Sequence, residues 1–258
     1  MRIGVMATTI AALAVIASLA QAELTARGDL FVKFSGGIAP RALPRDTRAP
    51  ISIEIDGTVR TLSGEQPPAL RGISIAINQG GRLDAHGLPI CRQRQIEPSS
   101  TQEALARCGA ALVGSGYYAA DVAFPEQTAF PSNGRILAFN SLVGGKRAIL
   151  AHIYDPDPVP ITRIVIFHIR ESGGTYGTTL TGSLPLAQNR WGYLKRISLN
   201  LHREFFYRGR QRSYLSAACD APPGFPGATF PFARASMTFA DGRTLSSVLT
   251  RSCTVRNP

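Results

Sequence analysis

Apolar and polar positions alternate along much of the chain. Ile51, Ile53 and Ile55 alternate with Ser52 and Glu54, Ile73, Ile75 and Ile77 with Ser74 and Ala76, and Ile197, Leu199 and Leu201 with Ser198, Asn200 and His202. Successive side chains of a strand point to opposite faces, so each run predicts a strand with one core face and one wetter face. Turn signals recur between the runs: Asp56-Gly57, Gly80-Gly81, Asn133-Gly134, Gly144-Gly145, Gly173-Gly174 and Asp241-Gly242. About eleven or twelve short strands joined by tight turns predict an all-β fold, an antiparallel β-sandwich with the jelly roll as one form of it. A membrane β-barrel would need an unbroken apolar band on every strand, which the many Arg and Pro residues interrupt.

One hairpin can be set in register. Arg135–Val143 and Lys146–Tyr154 flank Gly144-Gly145, and a two-residue turn puts Phe139 opposite Leu150 and Leu137 opposite His152. Both faces of this hairpin are largely apolar, which predicts a central position covered on both sides. One short helix is expected near residues 101–108. Ser100 and Glu103 have the spacing of a capping box, and Gly109 suits the C-terminal cap. Two segments read as irregular, Gly36–Pro50 with three Pro and three Arg, and Ala221–Pro231 with four Pro. The expected organisation is a leader at 1–22, an N-terminal strand with a Pro/Arg-rich arm at 23–50, and a single β-sandwich domain at 51–258.

The leader reading rests on Arg2, an apolar run over Ile10–Leu19, and Ala20-Gln21-Ala22, a small-x-small cleavage pattern. It predicts an exported, extracellular protein with no integral membrane association after cleavage. Four cysteines agree with export: Cys91, Cys108, Cys219 and Cys253 allow three pairings, of which the sequential one is favoured. No Cys-x-x-Cys or His-Glu-x-x-His spacing occurs, so no metal and no cofactor is expected.

The 258 residues carry a formal charge of +11, with 25 Arg against only 3 Lys. Arg presents a planar fork suited to carboxylate, sulfate or phosphate. The densest cluster is Arg203, Arg208, Arg210 and Arg212 around Tyr207 and Tyr214, with Gly209 as a hairpin tip and Trp191 and Tyr193 nearby in sequence. His202 adds to it, because Arg196, Ser198, Asn200, His202 and Glu204 would share one strand face. A solvated charged turn is the plainer reading of the same residues. His152 and His168 lie in apolar runs and read as core histidines, whereas His86 reads as a loop residue. Asp121, Asp155, Glu171 and Glu204 are acid candidates by strand position, and Asp155-Pro156-Asp157 reads as a rigid loop.

Several stretches are distinctive: Asn189-Arg-Trp-Gly-Tyr-Leu-Lys-Arg-Ile-Ser-Leu-Asn-Leu201, Phe206-Tyr-Arg-Gly-Arg-Gln-Arg-Ser-Tyr-Leu-Ser-Ala-Ala-Cys219, Pro223-Gly-Phe-Pro-Gly-Ala, and Leu249-Thr-Arg-Ser-Cys253. Together with Leu88-Pro-Ile-Cys91 and Phe130-Pro-Ser they resemble a group of secreted β-rich proteins of high-GC bacteria that have no assigned function. The resemblance implies export and a β-rich domain and carries over no catalytic or binding residue. The expected function is a secreted binding protein that captures an anionic polysaccharide or cell-wall polymer, with no nucleic acid as partner. A secreted polysaccharide hydrolase and a structural envelope or matrix protein are the alternatives.

Overall fold

A computed structural model describes residues 22–124, 126–156, 160–184 and 192–256. The leader core, Asp157 and Trp191 lie outside them. The strands are β1 (Glu23–Arg27), β2 (Leu30–Ala39), β3 (Ala42–Leu43), β4 (Ala49–Pro50), β5 (Ser52–Thr61), β6 (Leu70–Asn78), β7 (Gly81–Leu83), β8 (Leu112–Val122) and β9 (Phe130–Val143). They continue with β10 (Lys146–Asp155), β11 (Ile161–Glu171), β12 (Tyr176–Ser183), β13 (Gly192–Leu201), β14 (Glu204–Tyr207), β15 (Arg210–Ser213), β16 (Leu215–Ala217), β17 (Gly227–Phe239) and β18 (Thr244–Val255). Two helices, α1 (Gln93–Ile96) and α2 (Thr101–Cys108), fall between β7 and β8.

The all-β expectation holds, but the long strands do not separate into the two layers of a sandwich. They join one sheet in the order β1-β2-β5-β13-β8-β9-β10-β11-β12-β6-β17-β18-β3, antiparallel except for the last pair. The sheet curls until β18 lies beside β1 and β2. Thr25 Oγ1 donates to the Ser246 carbonyl (3.2 Å), Arg243 Nη1 to the Arg27 carbonyl (3.1 Å) and Arg251 Nε to the Gly36 carbonyl (2.5 Å). Period two reports one buried face per strand. It is the same for two stacked sheets and for one sheet rolled on itself, so the alternation could not decide between them.

The inner face carries the predicted apolar rows Ile53/Ile55, Ile73/Ile75/Ile77 and Ile197/Leu199/Leu201, joined by Phe34, Met237 and Leu249. Polar residues such as Glu54, Arg196 and Asn200 lie on the opposite face. On β5 and β13 the apolar side chains thus face inward and the polar ones outward. The interior is not filled: a cavity of about 160 Å³ remains within it. Two expected turns instead lie inside strands, Asp56-Gly57 in β5 and Asn133-Gly134 in β9. Both glycines mark close approaches rather than reversals, since a Cβ on Gly57 would stand 3.3 Å from Ile197 Cγ2 and one on Gly134 3.0 Å from the Tyr118 ring.

Residues 23–50 are not an arm outside the domain. Leu30, Val32 and Phe34 are buried, and β2 pairs with β5 from Leu30↔Thr61 to Ala39↔Ser52. The Pro/Arg-rich part then makes two short bridges, β3 to β18 and β4 to β16. In the second irregular segment the loop ends at Pro226. Pro231 sits inside β17 at a register shift, in a stretch paired with β18 alone, where its missing N–H costs no ladder bond to a second neighbour.

The β9–β10 hairpin has the expected register, Leu150↔Phe139 and His152↔Leu137. Gly144 and Gly145 both take positive φ (57° and 76°), as the two-residue turn demands. Its outer face is covered by α1 and α2. Ser100 and Glu103 form the capping box (Ser100 N to Glu103 Oε2, 2.8 Å), whereas Gly109 keeps right-handed helical angles and continues into a short 3₁₀ turn. Cys91–Cys108 closes this flap and Cys219–Cys253 ties the start of the 219–226 loop to β18, the sequential pairing. Ser141 Oγ donates to the Cys91 carbonyl (2.7 Å) and the Ser99 amide to Thr162 Oγ1 (3.0 Å), so the flap is fastened to both β9 and β11. Ile96 of the flap packs down on Leu137, Phe139 and Leu150 beneath it, all four fully enclosed.

Candidate functional site: an arginine-lined cleft

Polar chemistry gathers where the two small sheets meet. β16 pairs with β4 and β7, so Pro50, Ser216 and Arg82 form one cross-strand row. Arg48 immediately precedes β4. The β14–β15 hairpin adds Gln211, Arg212 and Ser213, and the loop after β7 adds Asp84 and His86. Together they line an open cleft of about 710 Å³. Three guanidinium groups face one carboxylate there. Arg212 Nη1 meets Asp84 Oδ2 at 3.0 Å, with both side chains about one-third exposed. Among the described residues Arg48 and Arg82 make no side-chain hydrogen bond or ion pair, and both are exposed.

The hairpin tip is Arg208-Gly209 as expected, both at positive φ (51° and 72°). It brings Arg208 and Arg212 to the Tyr207 ring, with guanidinium carbons 5.3 and 5.8 Å from its centroid. The His86 ring meets Tyr207 edge-on at 5.0 Å. Tyr207 therefore links the hairpin to the cleft loop. Cation–ring contacts of this kind hold the arginines in place while leaving N–H donors free for a ligand.

The other expected site residues are dispersed. Tyr214 is fully enclosed in the core, and burial raises its phenol well above the ordinary range, so it belongs to no surface. Arg203 turns away from the hairpin, its Nη2 reaching the Ala110 carbonyl at 3.4 Å. Arg210 is exposed beside the tip. His202 is exposed too, but β13 ends at Leu201 and Glu204 starts the separate β14, so the continuous polar row stops at Asn200. His152 is fully buried against Ser99, its Nε2 lying 3.1 Å from the Ser99 carbonyl. His168 is exposed and is not a core histidine; it shares a face with Ile164 and Ile166 but lies beyond the flap that covers them.

The acid candidates are each engaged locally. Asp121 pairs with Lys195 (2.8 Å), Glu171 with Arg147 (2.7 Å) and Glu204 with Gln211, while Asp155 is buried and accepts from Ser132 Oγ (2.5 Å). In the cleft, Asp84 accepts from the His86 amide (2.9 Å) and from Arg212. The first of these bonds involves the His86 backbone and not its ring, so Asp84 does not orient that imidazole. Among the described residues no cluster of three metal-ligating side chains occurs. The sequence pointed to Arg212 and the hairpin, but not to Arg48 or Arg82, which only the short β4–β16–β7 pairing brings to it. Comparison with protein families, with curated proteins and with solved structures found no match to this chain.

Proposed function

We propose that the protein binds an anionic polymer outside the cell, with the Arg48–Arg82–Arg212 cleft as the seat and the Tyr207 hairpin as its wall. One observation carries this reading: Arg48 and Arg82 project into the cleft without a carboxylate partner among the described residues. Unpaired guanidinium groups on a concave surface raise the local concentration of anions and offer bidentate bonds to carboxylate, sulfate or phosphate. Two disulfides support an oxidising setting, in which envelope polysaccharides and teichoic-type polymers would be the anions at hand. Binding is favoured over hydrolysis because the one carboxylate that lines the cleft among the described residues, Asp84, is engaged by Arg212. The test is retention of the oxidised protein on immobilised dextran sulfate across a salt gradient. Arg48→Ala/Arg82→Ala should elute at markedly lower salt than the parent. Unchanged elution of a folded double variant overturns the assignment.

A further inference from the structure

We infer that the interior of the rolled sheet is a second binding site, one that takes a single-chain amphiphile with an anionic head group. Protein interiors are ordinarily filled to the density of organic crystals. Here Ile55, Ile75, Ile153, Phe167, Leu194 and Leu199 all face inward, yet each remains partly exposed instead of being covered by its neighbours. The space they leave is lined almost wholly by aliphatic and aromatic side chains. Small residues create it: Ala138 and Ala151 oppose each other across β9 and β10, and Ala120 of β8, paired with Ser132 of β9, lines the same space towards the end where β10 finishes. From Ile149 to Ile153 the apolar wall runs about 13 Å along the strand at the usual rise per residue, a depth suited to an acyl chain.

Among the described residues one charge lines this apolar space: Arg163, third residue of β11, is the single ionisable side chain of that lining other than the Tyr118 phenol, and it is half-buried. Among the described residues its side chain has no hydrogen bond or ion pair. Arg163 pairs across the ladder with Ile153, at the end of the cavity where β10 finishes and β11 begins. Tyr118 faces the same end, its hydroxyl 3.2 Å from Ser132 Oγ. A guanidinium at one end of an aliphatic chamber complements a carboxylate on one end of an aliphatic chain. Burying the chain is favourable in proportion to its methylenes, and the charged pair fixes its direction. The site lies inside the rolled sheet, whereas the arginine cleft lies on the separate small sheets, so either can fail without the other.

Fluorescence titration of the oxidised protein with cis-parinaric acid, followed by displacement with dodecanoate or dodecan-1-ol, tests this. Saturable binding at one site per chain and displacement by dodecanoate are expected. Arg163→Leu should weaken dodecanoate by about tenfold, the worth of one charge-assisted hydrogen bond, and leave dodecan-1-ol nearly unchanged. Ala120→Phe should block both, because the ring would occupy the chamber. Absence of saturable binding overturns the inference, and so does binding that neither variant alters. If Ala120→Phe does not fold, the Arg163→Leu comparison of acid against alcohol decides alone, equal loss for both counting against an anionic head group at this site.

Discussion

Tyr207 lies so close to Gly87 that a side chain on Gly87 would overlap the phenol ring, and Gly87 itself takes a φ of +88°. The cleft loop and the β14–β15 hairpin are thus held together by a residue that has no side chain. Gly87→Ala would strain the backbone and push the ring outward. A loss of about 1–3 kcal/mol in urea-unfolding stability is expected, together with weaker dextran sulfate retention, since Arg208 and Arg212 both rest on that ring. A variant with parental stability would show that the hairpin moves freely.

Arg208 and Arg212 are neighbours in sequence and unequal in role. Arg212 offsets Asp84 inside the cleft, whereas Arg208 is exposed and among the described residues reaches only Tyr207. Arg212→Ala removes one positive charge and leaves Asp84 without that counter-ion beside the polyanion. It should lower the eluting salt more than Arg208→Ala does, and parallel gradients on dextran sulfate measure the difference. Equal effects would place the polymer along the hairpin instead of in the cleft.

His152 is buried beneath the flap, and burial holds its imidazole below the ordinary value of 6.5. The unfolded chain therefore binds a proton more readily than the folded one. The stability linked to this residue is fully present above pH 6.5 and declines as pH falls from there through the lower folded pKa. Urea midpoints measured downward from neutral pH should show this acid limb in the parent and a flatter one in His152→Gln. A parental slope in the variant would assign the limb to other groups.

The Cys91–Cys108 bridge retains the flap over Leu137, Phe139 and Leu150. Cys91→Ser/Cys108→Ser should cost about 2–5 kcal/mol and bring faster amide exchange in α2 than in β17. Uniform exchange across both elements would mean that the flap does not open on its own.

The legible parts of this fold are those whose geometry is set by neighbouring residues. Gly144-Gly145 fixes a hairpin register, Ser100 and Glu103 start a helix, and tightly spaced Arg and Tyr residues mark a hairpin tip. Long-range placement was not legible. Arg48, Arg82 and Arg212 meet through ladders of two and three residues, too short to leave a periodic trace. Tyr214 sits where β15 gives way to β16, and both Tyr214 and Leu215 are buried, so alternation fails at that junction. The emptiness of the interior depends on how residues from eleven strands add up across space, a sum that no single run records.

The seam between β18 and β1 has a consequence for behaviour at high concentration. A sheet this large ends in two rows of backbone groups that could template strands from another chain. Here side chains from both rims hold those rows toward each other, with Thr25 of β1, Arg243 of the turn before β18 and Arg251 of β18 spanning the gap, and β3 shields the far end of β18. Cutting two of these clasps by Thr25→Val with Arg243→Ala would turn self-protected rims outward and give the chain a route to fibrils.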